Sequence, residues 1–153
     1  MIELGRKVEN YNFKDHNDDE IKLDQLKGKK VLLSFHPLAF TSVCANQMKA
    51  LDEEYEKFED LNTKVLGISV DALPSKKAWA EELEVKNISL VSDFWPHGEF
   101  SQQVDIFNEE HGFSKRANII LDEEGKVIFA KEYEISEIPN VDELLTAIKA
   151  NNN

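Results

Sequence analysis

The sequence predicts an α/β fold: a mixed central sheet with helices on both faces and a β-hairpin at the N-terminus. Two continuous apolar runs, at about residues 30–36 and 64–70, are typical of strands buried on both faces. Each is followed by a segment with helical periodicity, which is the order expected of parallel strands with helical connections. Two further apolar runs near the C-terminus are joined by a short turn, which predicts an antiparallel pair.

The length and composition are those of one globular domain. The chain has 153 residues, of which 41% are hydrophobic, and it contains no repeat, linker or low-complexity segment, so we expect a single domain over 1–153. Its net charge of −12 is spread along the chain, which disfavours nucleic acids and anionic membranes as partners. The N-terminus lacks the apolar core of a signal peptide and no run approaches a membrane span, so we expect a cytoplasmic protein.

The first half of the chain carries the clearest local signals. Residues 11–13 and 21–23 flank a polar loop and predict the N-terminal hairpin. Pro37 ends the strand at 30–36, because it has no N–H to donate to a sheet. A helix is predicted from about Cys44 to Phe58, with one apolar stripe formed by Met48, Leu51, Tyr55 and Phe58.

The remaining elements follow from the same patterns. The predicted elements are a helix over 75–83 behind Pro74, a strand over 88–91, a short helix over 99–104, strands over 116–121 and 126–133, and a final helix striped by Val141, Leu144, Leu145 and Ile148. The tail, residues 151–153, is expected to fray.

The single cysteine, Cys44, falls in the first turn of its predicted helix, just behind the capping side chains of Thr41 and Ser42. The first N–H groups of a helix have no internal partner, and the helix dipole adds partial positive charge there. An anionic thiolate is therefore stabilised at this place. A lone cysteine is more often a small buried hydrophobe, but this position favours a reactive thiol.

Pro37, Thr41 and Cys44 spell P-x-x-x-T-x-x-C, which resembles the active-site motif of the peroxiredoxins. The segments 35–41 (FHPLAFT) and 92–98 (SDFWPHG) resemble the one-cysteine, alkyl hydroperoxide reductase E-type branch of that family. Arg116 stands where the family carries its active-site arginine. The matches span residues 1–150, and they imply a thioredoxin-like fold.

The resemblance implies that Cys44 reduces hydrogen peroxide or an organic hydroperoxide and becomes a sulfenic acid. The Thr41 hydroxyl, the backbone N–H groups near Val43 and Cys44, and the Arg116 guanidinium are the expected donors to the peroxide oxygens. Pro37 is expected to shield the sulfur from water without competing for the substrate. We therefore take Cys44, Thr41, Arg116 and Pro37 as catalytic candidates.

Several of these residues also have simpler explanations. Thr41 could be only a helix cap, Arg116 a surface arginine paired with an acid, and Pro37 a plain strand terminator. His36 is a candidate for substrate binding together with Val43, although its ring could instead only fill aromatic space.

The aromatic side chains Phe94 and Trp95 are expected in the core or in a subunit contact rather than at the substrate. The four histidines show no ligand spacing, so neither a metal nor another cofactor is expected.

The cysteine count also limits the function. A C-x-x-C disulfide reductase is excluded, since residues 41 and 47 are Thr and Gln. With no second cysteine to resolve the sulfenic acid, an external thiol (a thioredoxin-like, glutaredoxin-like or low-molecular-weight donor) must recycle it. A homodimer or higher homo-oligomer is expected. A non-catalytic redox-sensing or binding module on a thioredoxin-like scaffold remains the alternative, because a fold does not fix a function.

Overall fold

The structure is a computed structural model that describes residues 1–151. In chain order the strands are β1 (Asn12–Lys14), β2 (Glu20–Lys22), β3 (Lys30–Phe35), β4 (Thr63–Ser69), β5 (Ser89–Ser92), β6 (Phe107–Asn108), β7 (Phe113–Ser114), β8 (Arg116–Leu121) and β9 (Val127–Tyr133). The helices are α1 (Ser42–Glu53), α2 (Tyr55–Asp60), α3 (Leu73–Leu83), α4 (Glu99–Gln103) and α5 (Val141–Ala150).

The central sheet has five strands in the order β5-β4-β3-β8-β9. Strands β3, β4 and β5 are parallel, whereas β8 runs antiparallel to β3 and β9 antiparallel to β8. The predicted mixed sheet is therefore confirmed. β3 lies at its centre, and all six of its residues are buried. Its apolar residues predict this burial, whereas Lys30 and Ser34 are polar residues buried with them.

Two apolar clusters cover the two faces of this sheet. Side chains alternate across a strand, so Val31, Leu33 and Phe35 face one cluster while Leu32 faces the other. The first cluster includes the β1–β2 hairpin and α4. The second includes residues of α1, α2, α3 and α5, and it contains Cys44. Helices thus lie on both faces, as predicted, and the N-terminal hairpin pairs antiparallel as expected.

The predicted helix from Cys44 to Phe58 is wrong in its continuity, because the structure breaks it into α1 and α2. Glu54 separates them with φ −95° and ψ 12°, and its N–H is shared between the carbonyls of Ala50 and Asp52. Tyr55, expected on the apolar stripe, is only half-buried as a result. Periodicity alone does not detect such a break, since Phe58 still returns to the core.

The other differences are small. The short β6–β7 pair and a 3₁₀ helix over Leu23–Leu26 were not predicted, because segments this short carry little periodic signal. In the tail, Asn151 bonds through its side chain to the Ala147 carbonyl at 2.9 Å, and Asn152 and Asn153 lie outside the described residues. Within residues 1–151 no helix is long and apolar enough to cross a membrane.

Candidate active site

The site forms where the carboxyl end of β3 meets the start of α1. Thr41 occupies the N-cap position, with φ −114° and ψ 148°, and α1 begins at Ser42. The first helical hydrogen bond is donated by Ala45 to the Thr41 carbonyl at 2.9 Å. The N–H groups of Ser42, Val43 and Cys44 therefore precede the helical ladder, where an anion can be held.

Cys44 is a free thiol, only 1% exposed, and its closest polar partner in the structure is the guanidinium of Arg116. The Nη2 of Arg116 lies 3.3 Å from the sulfur. Arg116 is the first residue of β8, which pairs directly with β3, so the sheet itself brings the arginine to the helix start. A permanent cation at this distance stabilises a thiolate.

The guanidinium of Arg116 is held by neutral acceptors. Nη1 donates to Oε1 of Gln47, and Nε and Nη2 donate to the Ile135 carbonyl at 3.3 Å and 3.0 Å. Within residues 1–151 no carboxylate lies within ion-pair distance of it, and the side chain is buried. The simpler explanation of Arg116 as a surface arginine paired with an acid is therefore wrong. Its charge remains available to an anion at Cys44.

Gln47 is the site residue that the sequence analysis missed. It follows Cys44 by three residues, on the same face of α1, and is buried. Its Nε2 donates to the Ser34 hydroxyl at 2.8 Å and to the Phe35 carbonyl at 3.3 Å, which ties it to β3. The sequence does carry a signal for Gln47, because it is a polar residue on the otherwise apolar face of an amphipathic helix.

Thr41 lies at the cap position but does not cap the helix with its side chain. Its hydroxyl instead donates to the Leu38 carbonyl at 2.8 Å and so closes the loop before the helix. The explanation of Thr41 as only a helix cap is therefore wrong. Because its one proton is used in this way, the expectation that this hydroxyl donates to the peroxide oxygens is wrong for this structure. The hydroxyl oxygen keeps lone pairs that can accept a hydrogen bond.

The other candidates occupy the same loop and helix start. Pro37 is buried two residues beyond the end of β3, and Val43 is half-buried in the first turn of α1. The ring of His36 is fully buried; its centroid lies 5.1 Å from that of Trp79, and Nε2 lies 2.9 Å from Nζ of Lys76. The packing explanation of His36 thus fits the structure better than a role in lining the substrate pocket. Besides packing, the ring makes a hydrogen bond with Lys76.

The remaining histidines and aromatic residues take other places. His16 accepts from the Leu90 N–H at 3.1 Å, His97 bonds to the Gly112 carbonyl at 2.6 Å, and His111 stacks on Phe113. Phe94 and Trp95 are 49% and 81% exposed, so they do not lie in the core, and the alternative of a subunit contact stays a prediction. A cavity of about 670 Å³ lies between residues 1–10 and 103–105 and contains none of the residues around Cys44.

Comparison with known families and proteins gives a consistent answer. Residues 4–130 match the model of the AhpC/TSA family. Alkyl hydroperoxide reductase E of Mycobacterium tuberculosis is 34% identical over 139 residues, which cover 90% of each chain. The mitochondrial thioredoxin-dependent peroxide reductase of Drosophila melanogaster is 35% identical over 146 residues, covering 89% of this chain and 60% of that one.

Solved structures share the fold. The reduced 2-Cys peroxiredoxin of Plasmodium vivax superposes with a TM-score of 0.88 at 28% identity, covering 96% of this chain and 80% of that one. Peroxidoxin BcpB of Mycobacterium tuberculosis superposes with a TM-score of 0.86 over the whole of both chains, and at 20% identity it supports the fold alone.

Proposed function

This chain belongs to the AhpC/TSA family, the peroxiredoxins, and on that premise we propose how its site reduces peroxides. It is a thiol-dependent peroxidase with a thioredoxin-like fold and a single cysteine. The observation that carries the proposal is the buried Arg116 guanidinium, which lies 3.3 Å from the only sulfhydryl and has no carboxylate partner among the described residues. This arrangement favours an enzyme over a non-catalytic module.

The reaction is a displacement at oxygen. The Cys44 thiolate attacks one oxygen of hydrogen peroxide or an organic hydroperoxide, an S–O bond forms and the O–O bond breaks. The other oxygen leaves with the bonding electron pair and takes a proton, giving water or an alcohol, while Cys44 becomes a sulfenic acid. The sulfur is oxidised by two electrons and the peroxide is reduced by two.

Stabilising the thiolate is not sufficient for a fast reaction, because a more stable thiolate is also a weaker nucleophile. Donors that meet the oxygens as charge develops on them supply the larger effect. We assign this role to Arg116 and to the backbone N–H groups of Val43 and Cys44. The Thr41 hydroxyl oxygen accepts a hydrogen bond from the O–H group of the peroxide, and Pro37 keeps water from the sulfur.

Recycling depends on a second molecule. The described chain offers no other thiol, so two external thiols reduce the sulfenic acid, with water and a disulfide of the donor as products. We propose a thioredoxin-like, glutaredoxin-like or low-molecular-weight donor. The name of the Drosophila relative favours the first of these. A cycle through a free thiol suits a reducing compartment, so we propose the cytoplasm.

We also propose a homodimer or higher homo-oligomer. The exposed aromatic rings of Phe40, Phe94 and Trp95 support it, since large apolar side chains left at a surface are often covered by a partner. Sedimentation analysis of the reduced protein tests this assembly.

Intact-protein mass spectrometry tests the cycle. One equivalent of peroxide should add one oxygen and give a sulfenic acid that a diketone reagent traps. Excess peroxide without thiol should add a second oxygen and inactivate the enzyme, because a sulfenic acid oxidises further to sulfinic acid. Addition of a thiol after the first equivalent should restore the free thiol and sustain turnover.

Two results would contradict the proposal. A dominant disulfide-linked dimer after one equivalent would mean that the subunits resolve each other, and the cycle with an outside reductant would be wrong. Loss of the thiol without turnover on any added donor would favour the redox-sensing module over the enzyme.

A further inference from the structure

Lys76, in the first turn of α3, is a fully buried lysine beside the loop that leads to Cys44. Its Nζ lies 2.9 Å from Nε2 of His36 and 2.8 Å from the Ser69 hydroxyl. Within residues 1–151 no carboxylate is within ion-pair distance of this ammonium. Burying a cation without a direct counterion is costly, and the mechanism above does not use it.

From Ser69 the hydrogen bonds continue into the loop. The Ser69 hydroxyl donates to Oδ2 of Asp71 at 2.6 Å, and the same oxygen accepts the backbone N–H of Ala39 at 2.8 Å. One hydroxyl and one carboxylate therefore connect the Lys76 ammonium to the middle of the loop between Pro37 and Thr41.

On its other side Lys76 reaches the residue at which the loop begins. The His36 N–H continues the β3–β4 ladder to the Ile68 carbonyl at 3.0 Å, so its backbone is fixed by the sheet. The ring is fixed separately, between Trp79 and the Lys76 ammonium. Lys76 thus contacts the loop at His36 directly and at Ala39 through two intermediates.

The loop is one that needs such support. Phe40 has a φ of +64°, in the left-handed region that a side chain with a Cβ disfavours by about 1–2 kcal/mol. Backbone in this region persists only where surrounding contacts hold it. The bond from Thr41 to the Leu38 carbonyl is internal to the loop and cannot orient the loop relative to the sheet.

We propose that Lys76 is a positioning residue for peroxide reduction, holding the loop at His36 and Ala39 so that Pro37 and Thr41 keep their places beside the Cys44 sulfur. The inference rests on the proposed peroxidase function. Lys76 itself does not touch the substrate in this scheme. Its effect is on the geometry of the groups that do.

The charges around Lys76 make the network sensitive to pH. Burial lowers the pKa of Lys76 to about 7, while Asp71 and Cys44 act in the opposite direction. Burial also lowers the pKa of His36 well below its usual range, and the positive charges of Lys76 and Arg116 lower it further. His36 is therefore neutral and can accept at Nε2. Below pH 7 Lys76 is an ammonium with charge-assisted hydrogen bonds, which are stronger than those of the amine.

The first test compares the full-length protein with Lys76→Met, which keeps the length of the side chain and removes its charge. Two second-order rates are measured at Cys44, one with hydrogen peroxide and one with the neutral reagent iodoacetamide. Both need the thiolate, so their ratio reports on positioning. We expect the ratio to fall about ten- to a hundred-fold, the usual effect of misplacing catalytic groups by about 1 Å.

Lys30 offers a matched control. It is also buried and lies at the opposite end of β3, where it pairs with Glu123 at 3.0 Å. Lys30→Met should leave the rate ratio within about two-fold of wild type, since Lys30 lies at the end of β3 that is far from the loop. Ser69→Ala, which removes only the relay hydroxyl, should lower the ratio in the same direction as Lys76→Met. If the two act through one network, the double variant should lose less than the product of the single effects.

The pH dependence of the same ratio gives a second readout. In the wild type it should fall by roughly five-fold as the pH rises through about 7, because Lys76 loses its proton there. In Lys76→Met it should not change over that range. A Lys76→Met ratio within three-fold of wild type, or a pH profile equal in both proteins, would overturn the inference. A wild type that does not react with peroxide at all would instead overturn the proposed function.

Discussion

The two ends of strand β3 both adjoin buried cations, but among residues 1–151 only one end pairs its cation directly with a carboxylate. At the start of the strand, Lys30 meets Glu123 at 3.0 Å, and that carboxylate is 45% exposed. At the other end, about 17 Å away along the strand, Arg116 and Lys76 are held by neutral groups: a glutamine, a serine, a histidine and a backbone carbonyl.

The difference shows why burial of a charge does not by itself indicate function. The charge of a buried cation that is paired with a carboxylate is largely neutralised. Such a pair contributes to the stability of the fold at most. A buried cation held by neutral acceptors still exerts its field, and at this end of β3 the Arg116 guanidinium lies 3.3 Å from the Cys44 sulfur. Within residues 1–151, the lack of a direct carboxylate partner, rather than the presence of a cation, distinguishes the end at Cys44 from the end at Lys30.

The strongest test of this contrast between the two ends of β3 removes the Cys44 thiol. Cys44→Ser keeps the shape of the side chain and should abolish peroxide reduction, because a serine hydroxyl is not ionised at neutral pH. Thermal unfolding and far-UV circular dichroism should match those of the wild type, which would separate loss of chemistry from loss of fold. Retention of even a tenth of the peroxidase rate would contradict the assignment of Cys44.

The next test removes the nearer cation. Arg116→Met should lower the second-order rate with peroxide by about a hundred- to a thousand-fold, the usual effect of losing one donor to a transition-state oxygen. The rate with iodoacetamide should fall much less, because that reaction needs only the thiolate. If both rates fell equally, Arg116 would act on the thiolate alone, and its role toward the peroxide would be disproved.

A smaller effect is expected from Thr41→Val, which removes the hydroxyl but keeps the branched shape. The peroxide rate should fall by about a hundred-fold relative to the iodoacetamide rate, because the peroxide loses the acceptor that orients it. Loss of the bond to the Leu38 carbonyl contributes part of this through the loop. Thr41→Ser, which restores the hydroxyl, should recover most of the ratio, and failure to do so would mean that Thr41 matters only for packing.

How far the sequence predicts this site depends on the kind of contact. The strand, the helix start and Cys44 are local features, so periodicity and capping signals place them well. Arg116 becomes a candidate through the family motif, because nothing local says that β8 will pair with β3. The broken helix at Glu54 shows the limit of the same approach, since an apolar stripe continues across the break.

The neutral partners of the cations were harder to find. The acceptor at Ile135 is a backbone carbonyl, which every residue has, so no sequence pattern marks it. Lys76 stands in a Ser-Lys-Lys run that is typical of an exposed helix face. Its burial depends on how α3 packs over the end of β3, which is a tertiary feature without a local signal.

Lys76, which has no direct carboxylate partner within residues 1–151, should destabilise the fold by an amount that depends on pH. Its pKa is about 7 in the native protein against a usual value near 10.5, so between these values the unfolded chain keeps a proton that the native protein has lost. The free energy of unfolding should therefore rise with pH across this window, by at most about 1.4 kcal/mol per pH unit. Below pH 7 both states are protonated and the full cost of the buried charge is present.

Urea unfolding at pH 7, 8 and 9 tests this, comparing Cys44→Ser with Cys44→Ser/Lys76→Met so that the thiol does not contribute. The tyrosines with raised pKa values, such as Tyr133, affect both proteins alike and cancel in the difference. The variant should be as stable as its parent or more stable at pH 7, since an apolar residue replaces a buried charge. The free energy of unfolding of the parent should then increase relative to that of the variant as the pH rises. A difference that stays constant from pH 7 to 9 would mean that Lys76 keeps its proton throughout, and the contrast between the two ends of β3 would then lie in geometry alone.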